Sequence, residues 1–492
     1  MKQLTLGHQP FLFLKRNVSI SSENAKTHWH VIGVSGSGKS RYLAHLYLAL
    51  RSLGMSATLV DPHGDLSHLI LGHLVASGVF NTPEGFEKVL FLDLPEAERR
   101  GLAVPLNILK QFTPTRAILP HIVSANILQA FHRAYPELAE GAAAFNNLVK
   151  YGTQILISND LPLTLLGHFL TNPSFRQSLY AQEEDYVKVQ YFTDFFDPMP
   201  QRLQAEEIDS AMRRIGDLTH DPFLRYSLSA SQNLLNFRQV FDEGRSVIIN
   251  LAVEDTQTQR LLGCLLTVMA EQAAKSRADT PESERNTLPS HHLLIDEFHL
   301  FSSQSERALS AMLSQCRKFS LFAILAHQTW DQASEHLKGA LQNVRIEVIL
   351  EQGYYDAAYS APILTSFDPA RVKHVVEDEG AASRTHPVFS SVQEQKEGMI
   401  DALRDLVPGQ AYLHLNLAQQ KKRKRRVVRV TTPIVPNPQV SEDAVREVRE
   451  EYLRRYFLPQ SKIDRELQLH RRVEELSATP GRVRRQDVVR RT

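Results

Sequence analysis

Residues 33–40 read Gly33-Val34-Ser35-Gly36-Ser37-Gly38-Lys39-Ser40, and no other stretch limits so sharply what this chain can become. The pattern G-x-x-x-x-G-K-[ST] builds a phosphate-binding loop, because glycines admit backbone angles that turn successive N–H groups inward onto phosphate oxygens. Gly33, Ser35, Gly36, Ser37 and Gly38 would form the cradle. Lys39 would neutralise the β- and γ-phosphates, and the Ser40 hydroxyl would ligate Mg²⁺. The apolar run Trp29–Ile32 leads into the loop, and a helical pattern over Arg41–Leu53 leaves it. That order aims the positive end of a helix at the anion. A chance Gly/Ser turn would lack both flanks.

Further short runs have β-type composition: Ala57–Val60, Val89–Leu92, Val247–Asn250, Leu293–Ile295, Leu321–Leu325, Glu347–Glu351 and Tyr412–Leu417. Most are near-continuously apolar, as strands covered on both faces must be; the last one alternates. Helical patterns such as Gln257–Lys275 lie between them. Strand alternating with helix predicts an α/β fold with a mainly parallel sheet.

A phosphate loop needs an acid on the Mg²⁺ side and, for hydrolysis, a base that orients water. Leu293-Leu294-Ile295-Asp296-Glu297 supplies both at one strand end. Asp296 is expected in the Mg²⁺ shell with Ser40, and Glu297 beside the attacking water. An isolated Asp-Glu pair would read as an ordinary strand-ending turn. The upstream loop gives it a catalytic meaning, that of a nucleoside triphosphate hydrolase.

Other strand ends carry further candidates. Leu321–Leu325 runs into Ala326-His327-Gln328-Thr329, where the Gln328 amide can either cap the strand or sense a γ-phosphate. Between the two strands lies Ser314-Gln315-Cys316-Arg317-Lys318-Phe319. Arg317 there is either a solvated helix end or an arginine that reaches a neighbouring subunit's nucleotide. The turn Asp61-Pro62-His63-Gly64-Asp65 has no standard metal-ligand spacing and is expected to line the crevice at the sheet's C-terminal edge.

From about Pro114 to Asp242 the pattern is helical, with Ile118–Ala134, Gly141–Ser158 and Ala205–Leu218 as its main segments. Four regions follow: a first motor part with the phosphate loop (1–113), an all-helical insertion (114–242), a second motor part with the Asp-Glu strand (243–435) and a helical, basic C-terminal tail (436–492). Thr432–Pro438 reads as a linker and Ser441 as a helix start.

Cys264 and Cys316 are too few for a disulfide framework. No segment reaches the ~18 apolar residues of a membrane span; the richest run, Leu261–Ala270, meets Glu271 and Gln272. The start, Met1-Lys2-Gln3-Leu4-Thr5, lacks the pattern of an export signal. A cytoplasmic location is expected. With 56 Lys and Arg against 55 Asp and Glu, the chain is not a polycation that coats nucleic acid by bulk charge. The charge is uneven, however: residues 421–492 carry 20 Lys and Arg against 10 Asp and Glu, which points to an anionic partner or to a solvated tail.

Gly33–Ser40, the Asp61–Asp65 turn, Leu106-Asn107-Ile108, Leu294–Phe298, Arg317-Lys318 and His327-Gln328, in that order, resemble the motif series of HerA/FtsK-type motors. The resemblance is closest to the TraG/TraD-like coupling ATPases of conjugation and type IV secretion, and it covers most of residues 27–430. It implies a RecA-like motor domain and a homo-hexameric ring that binds ATP and Mg²⁺ between subunits and moves DNA, without reading its sequence, through a central channel. It further implies Lys39 and Ser40 on phosphate and Mg²⁺, Asp296 and Glu297 in hydrolysis, Gln328 as nucleotide sensor and Arg317 as a finger acting in trans. A relaxase, a nuclease or a secretion-channel component would be the partner. The chain departs from the pattern at its start: no span precedes the sheet, and Leu4–Ile20 is too short for the β-barrel of HerA-type motors.

The run Lys421-Lys422-Arg423-Lys424-Arg425-Arg426 lies between strand-like Ala411–Leu417 and Val427–Val430. It reads as a hairpin with cations guarding a sheet edge, as a DNA contact or as a targeting signal, and the first two overlap. Alternatives to a DNA motor are the same ATPase working on protein, an ATPase subunit of a DNA-processing or anti-foreign-DNA complex, and a nucleotide switch that does not hydrolyse.

Overall fold

The computed structural model describes residues 3–11, 14–111, 118–135, 143–180, 183, 185–285, 287–302, 306–365, 368–377, 385–419 and 422–477. In chain order the strands are β1 (Gln3–Phe11), β2 (Leu14–Ser21), β3 (Trp29–Ile32), β4 (Ser56–Asp61), β5 (Val89–Asp93), β6 (Leu102–Ala103), β7 (Ser246–Asn250), β8 (His291–Ile295), β9 (Leu321–His327), β10 (Ile346–Ile349), β11 (Val372–Glu377), β12 (Thr385–Phe389), β13 (Gln410–Gln419), β14 (Lys422–Thr431) and β15 (Leu458–Pro459). Eleven of them form one sheet in the order β2-β1-β14-β13-β10-β3-β9-β8-β4-β7-β5.

From β10 to β5 every neighbouring pair is parallel. All of these strands are buried on both faces, which is why their sequences are near-continuously apolar. β13 turns antiparallel on β10, and β14, β1 and β2 extend that side as two hairpins. The fold is α/β with a large, mostly parallel mixed sheet and a helical insertion. β1 and β2 escaped the sequence pattern because their core face is small: Leu4, Leu6, Val18 and Ile20 are buried, while Lys15, Arg16 and Asn17 face solvent.

The basic run falls on β14, with residue 421 outside the described residues. It forms a hairpin with β13 in which Lys422 pairs Gln419 and Arg426 pairs Leu415. β1 and β2 lie outside β14 in the sheet order, but they cover only its far half. β1 registers with β14 at His8 opposite Thr431, so the basic half of β14 runs on past the end of β1. Since β13 opposes β10, that half lies at the end of the sheet away from the residue 33–40 loop.

Between β6 and β7 the described residues are mainly helical. Pro120–Ala134, Ala143–Ser158 and Gln201–Ile215 are its longest helices. Phe131, Phe145, Phe169, Phe192 and Phe196 form their apolar centre. Arg176 is buried there, answered by Asp197 and by the carbonyls of Phe169 and Leu170. Among the described residues no helix is long and apolar enough to cross a membrane.

The C-terminal helices are docked on this body. Glu442–Tyr456 lies on the β5 edge, with Tyr452 against Phe80, Phe86 and Phe91. Arg449 reaches Asp93 (2.6 Å) and Glu96 (3.3 Å). β15 then pairs β6, and Gln460–Ser477 packs on helices of the insertion. The basic end of the chain, residues 478–492, lies outside the described residues.

Five imidazoles are buried on the central strands β3, β8 and β9 or, for His28, just before β3. Burial lowers His28 and His30 to about 3 and His292 to about 4, and holds His291 and His327 well below the ordinary 6.5. His30 Nε2 lies 2.8 Å from His327 Nε2, and His291 sits between the hydroxyls of Ser56 and Thr58. The unfolded chain takes up these protons near pH 6.5, whereas the folded chain refuses them. Stability is therefore present above about pH 6.5 and lost as pH falls towards 4. Thermal unfolding measured stepwise from pH ~7 to ~5 is expected to show a steep fall in midpoint with uptake of several protons. A flat profile would contradict the neutral assignment.

Candidate functional site

The loop after β3 has the shape its composition predicts. Gly36 and Gly38 hold φ of 83° and 97°, open to glycine at little cost. At Gly33 space is the constraint: a Cβ there would stand 2.7 Å from Leu350 Cβ and 2.8 Å from Ser37 Oγ. Ser37 Oγ donates to Val34 O (2.7 Å), and Val34 N donates to Glu351 O (2.9 Å) beyond β10. Ser35, Gly36 and Ser40 stay open to solvent. Lys39 begins the helix Lys39–Ser52, and its side chain turns back over the loop, where it is buried.

Three strand ends meet at Lys39. Its Nζ forms a buried ion pair with Glu297 Oε1, from the turn after β8. Gln328 Nε2, just past β9, donates to the same oxygen (3.1 Å). Glu297 has φ 45°, a left-handed conformation costing roughly 1–2 kcal/mol in a residue with a Cβ. That turn is held by Glu297 N donating to Asp296 Oδ1 (3.0 Å) and Leu300 N donating to Glu297 O (2.9 Å).

Asp296 is buried. Burial, opposed by Lys39 and reinforced by the charges of Glu297 and Asp61, raises its pKa to about 6. Asp61 itself caps its own turn, accepting from His63 N (3.0 Å) and Ser67 N (2.7 Å). The Asp61–Asp65 segment thus lines the crevice as a turn. The Ser40 hydroxyl and the Asp296 carboxyl are hard oxygen donors, and a divalent cation would stabilise the ionised carboxylate that burial and the neighbouring acids disfavour. The residues present suit Mg²⁺.

The C-terminal part of the chain closes one side of this crevice. Gly409 N donates to Ser37 O (3.3 Å). Arg41, next to Ser40, donates to Val435 O (2.8 Å) and Asn437 Oδ1 (2.7 Å). A cavity of about 540 Å³ opens between Ser40, Arg41, Asp65, His68, Asn437 and Pro438.

Arg317 does not join the cluster. It precedes β9, whereas Gln328 follows it, and at roughly 3.3 Å per residue the seven-residue strand sets them about 20 Å apart. It lines a cavity of about 830 Å³ at the far end of the sheet with His28, Ser310, His336 and Arg345. Two residues missed in the sequence belong to the near site. His299 Nδ1 lies 3.4 Å from Glu297 Oε2, and Gln332 Nε2 lies 3.3 Å from His299 Nε2. The spacing Thr329-x-x-Gln332 is a capping-box pattern and was available as a signal.

No family model matches the sequence, and no curated protein matches it at the sequence level. Solved structures match the fold. The bacterial conjugative coupling protein TrwBdeltaN70 superposes with a TM-score of 0.53 at 16% identity, over 86% of this chain and 89% of that one. The chain has the fold of a conjugative coupling protein. The plasmid coupling protein TrwB in complex with ADP and Mg²⁺ gives 0.52 at 16% identity, over 85% and 88%. VirB4 of Thermoanaerobacter pseudethanolicus gives 0.45 at 12%, over 85% and 90%.

The electrostatics of Asp296 give a prediction. At neutral pH its carboxylate is ionised against the preference of its site, so Asp296→Asn is expected to raise the melting midpoint of the nucleotide-free protein. The gain should shrink as pH falls through about 6, where Asp296 takes up its proton. A midpoint lowered at neutral pH would contradict this.

Proposed function

We propose that this chain is an ATP hydrolase that works as a ring and moves DNA. The observation that carries the reading is the meeting of Lys39, Glu297 and Gln328 across β3, β8 and β9, beside a phosphate-binding loop. A lysine for phosphate, a carboxylate for water and an amide that touches that carboxylate are the parts that triphosphate hydrolysis needs.

In this reading the N–H groups of residues 33–40 hold the phosphates. Ser40 and Asp296 hold Mg²⁺, which supplies charge neutralisation when bound. An arriving triphosphate offers Lys39 a stronger anionic partner and frees Glu297 Oε1 for a water molecule. Glu297 takes a proton as the water oxygen bonds to the γ-phosphorus, and the bond to the bridging oxygen breaks to release ADP and phosphate. Gln328, bonded to the same carboxylate, registers the change. Arg317 lies too far from its own loop to help, so the phosphate it serves belongs to a neighbouring subunit, and the active unit is a ring, with a homo-hexamer as the expected form. TrwB is a plasmid coupling protein, and the likeness of fold together with the basic β14 hairpin supports DNA as the substrate moved.

Glu297→Gln is expected to retain ATP binding and lose turnover by about 10²-fold or more, while Lys39→Ala loses binding. Mixing Arg317→Ala with Glu297→Gln subunits should restore part of the turnover, because each supplies what the other lacks. Absence of rescue would remove Arg317 from the reaction. Turnover should rise with added DNA at low salt, and the rise should fade at high salt. No response to single- or double-stranded DNA would move the substrate to protein.

A further inference from the structure

Glu297 has two carboxylate oxygens, and the ATPase reading uses one of them. Oε1 takes Lys39 and Gln328. Oε2 is buried without a hydrogen-bond partner among the described residues, and so is His299 Nδ1, 3.4 Å away. Two buried, complementary and otherwise unanswered atoms face each other at the outer limit of a hydrogen bond.

The proton on His299 can be placed by following the network outward. Gln332 Oε1 accepts from the backbone N–H groups of Gln328 (2.9 Å) and Thr329 (3.2 Å). Those two donors fix the orientation of the amide, so the Gln332 NH₂ group points at His299 Nε2, 3.3 Å away. A ring nitrogen that faces a donor must accept. Burial lowers the pKa of His299, more strongly than any neighbouring charge acts on it, so the ring is neutral at physiological pH and carries its single proton on Nδ1. That N–H lies beside Glu297 Oε2, 3.4 Å from it and short of a formed hydrogen bond, so a small turn of the carboxylate or the ring would close it.

Resting on the ATPase reading, we propose that His299 is a positioning residue for Glu297. It fixes the carboxylate plane through Oε2, so that Oε1 stays aimed at the attacking water once Lys39 turns to phosphate. Gln332 is the hub. It bonds the backbone of Gln328, which touches Oε1, and the ring of His299, which touches Oε2. Both oxygens of the base are thereby tied to one side chain in the turn after β9. A shift of that turn on loss of the γ-phosphate would reach both at once.

The test uses the full chain with ATP and Mg²⁺. His299→Ala is expected to lower kcat by about 10-fold with little change in KM or in the affinity for a fluorescent ATP analogue. His299→Asn keeps a donor near the Nδ1 position and should recover most of the loss. In a Glu297→Gln background, His299→Ala should add nothing, because its effect passes through the carboxylate. Thermal unfolding checks that each variant is folded.

Turnover in wild type that is abolished by Lys39→Ala establishes the ATPase reading independently. Given that turnover, three results would each overturn the positioning role: His299→Ala equal to wild type, His299→Asn as slow as His299→Ala, or a further loss in the Glu297→Gln background. Wild-type protein with no turnover would sink the ATPase reading and this inference together.

Discussion

The buried ion pair between Lys39 and Glu297 is the contact that the rest of the molecule is arranged to make. Among the described residues neither charge has another opposite charge as close, and a buried pair broken on one side costs about 3–5 kcal/mol. The two residues are 258 positions apart in the chain. They meet because β3 and β8 both flank β9 in parallel, so that the loops after all three strands open on one end of the sheet. Hydrophobic burial on both faces fixes that order. The same parallel arrangement sends the segments before the strands to the opposite end, which is where Arg317 and its cavity lie. One rule of sheet geometry separates the groups proposed to act within a subunit from the one proposed to act across subunits.

The C-terminal residues are part of this construction. The linker after β14 bonds Arg41, one residue past Ser40, and the following helix sets Tyr452 and Arg449 against the β5 edge. The chain then touches β6 and the insertion. The C-terminal segment thus links the helix that follows the phosphate loop, the β5 edge and the insertion, parts far apart in sequence. Composition hid this, because the segment is rich in charge and reads as solvated. Its docking rests on a few large contacts, Tyr452 and Leu453 above all, and such sparse anchors leave no periodic trace.

Legibility in the sequence followed the strength of the local signal. The phosphate loop, the Asp296-Glu297 strand end and the parallel strands were readable because each is specified within a few residues. β1 and β2 were not, since their buried residues are few and their exposed faces polar. The hairpin of β11 and β12 was missed for a similar reason, with Val372, Val388 and Phe389 facing solvent. His299 and Gln332 were passed over because a lone histidine beyond an acidic pair has many possible surroundings, and only the turn after β9 supplies its partner.

The sequence by itself determined the chemistry at hand: a phosphate cradle at 33–40, two acids at 296 and 297, an amide at 328, and apolar strands that must lie inside an α/β sheet. These are local properties, set by side-chain type and by the conformations that glycine permits. Tertiary structure decided which of those groups meet. It joined Lys39, Glu297 and Gln328, kept Arg317 about 20 Å away, brought His299 to the second carboxylate oxygen, and placed the basic hairpin at the end opposite the loop. Strand order and direction are properties of the whole sheet, settled by how all the apolar faces are buried together, and no short stretch of sequence carries them.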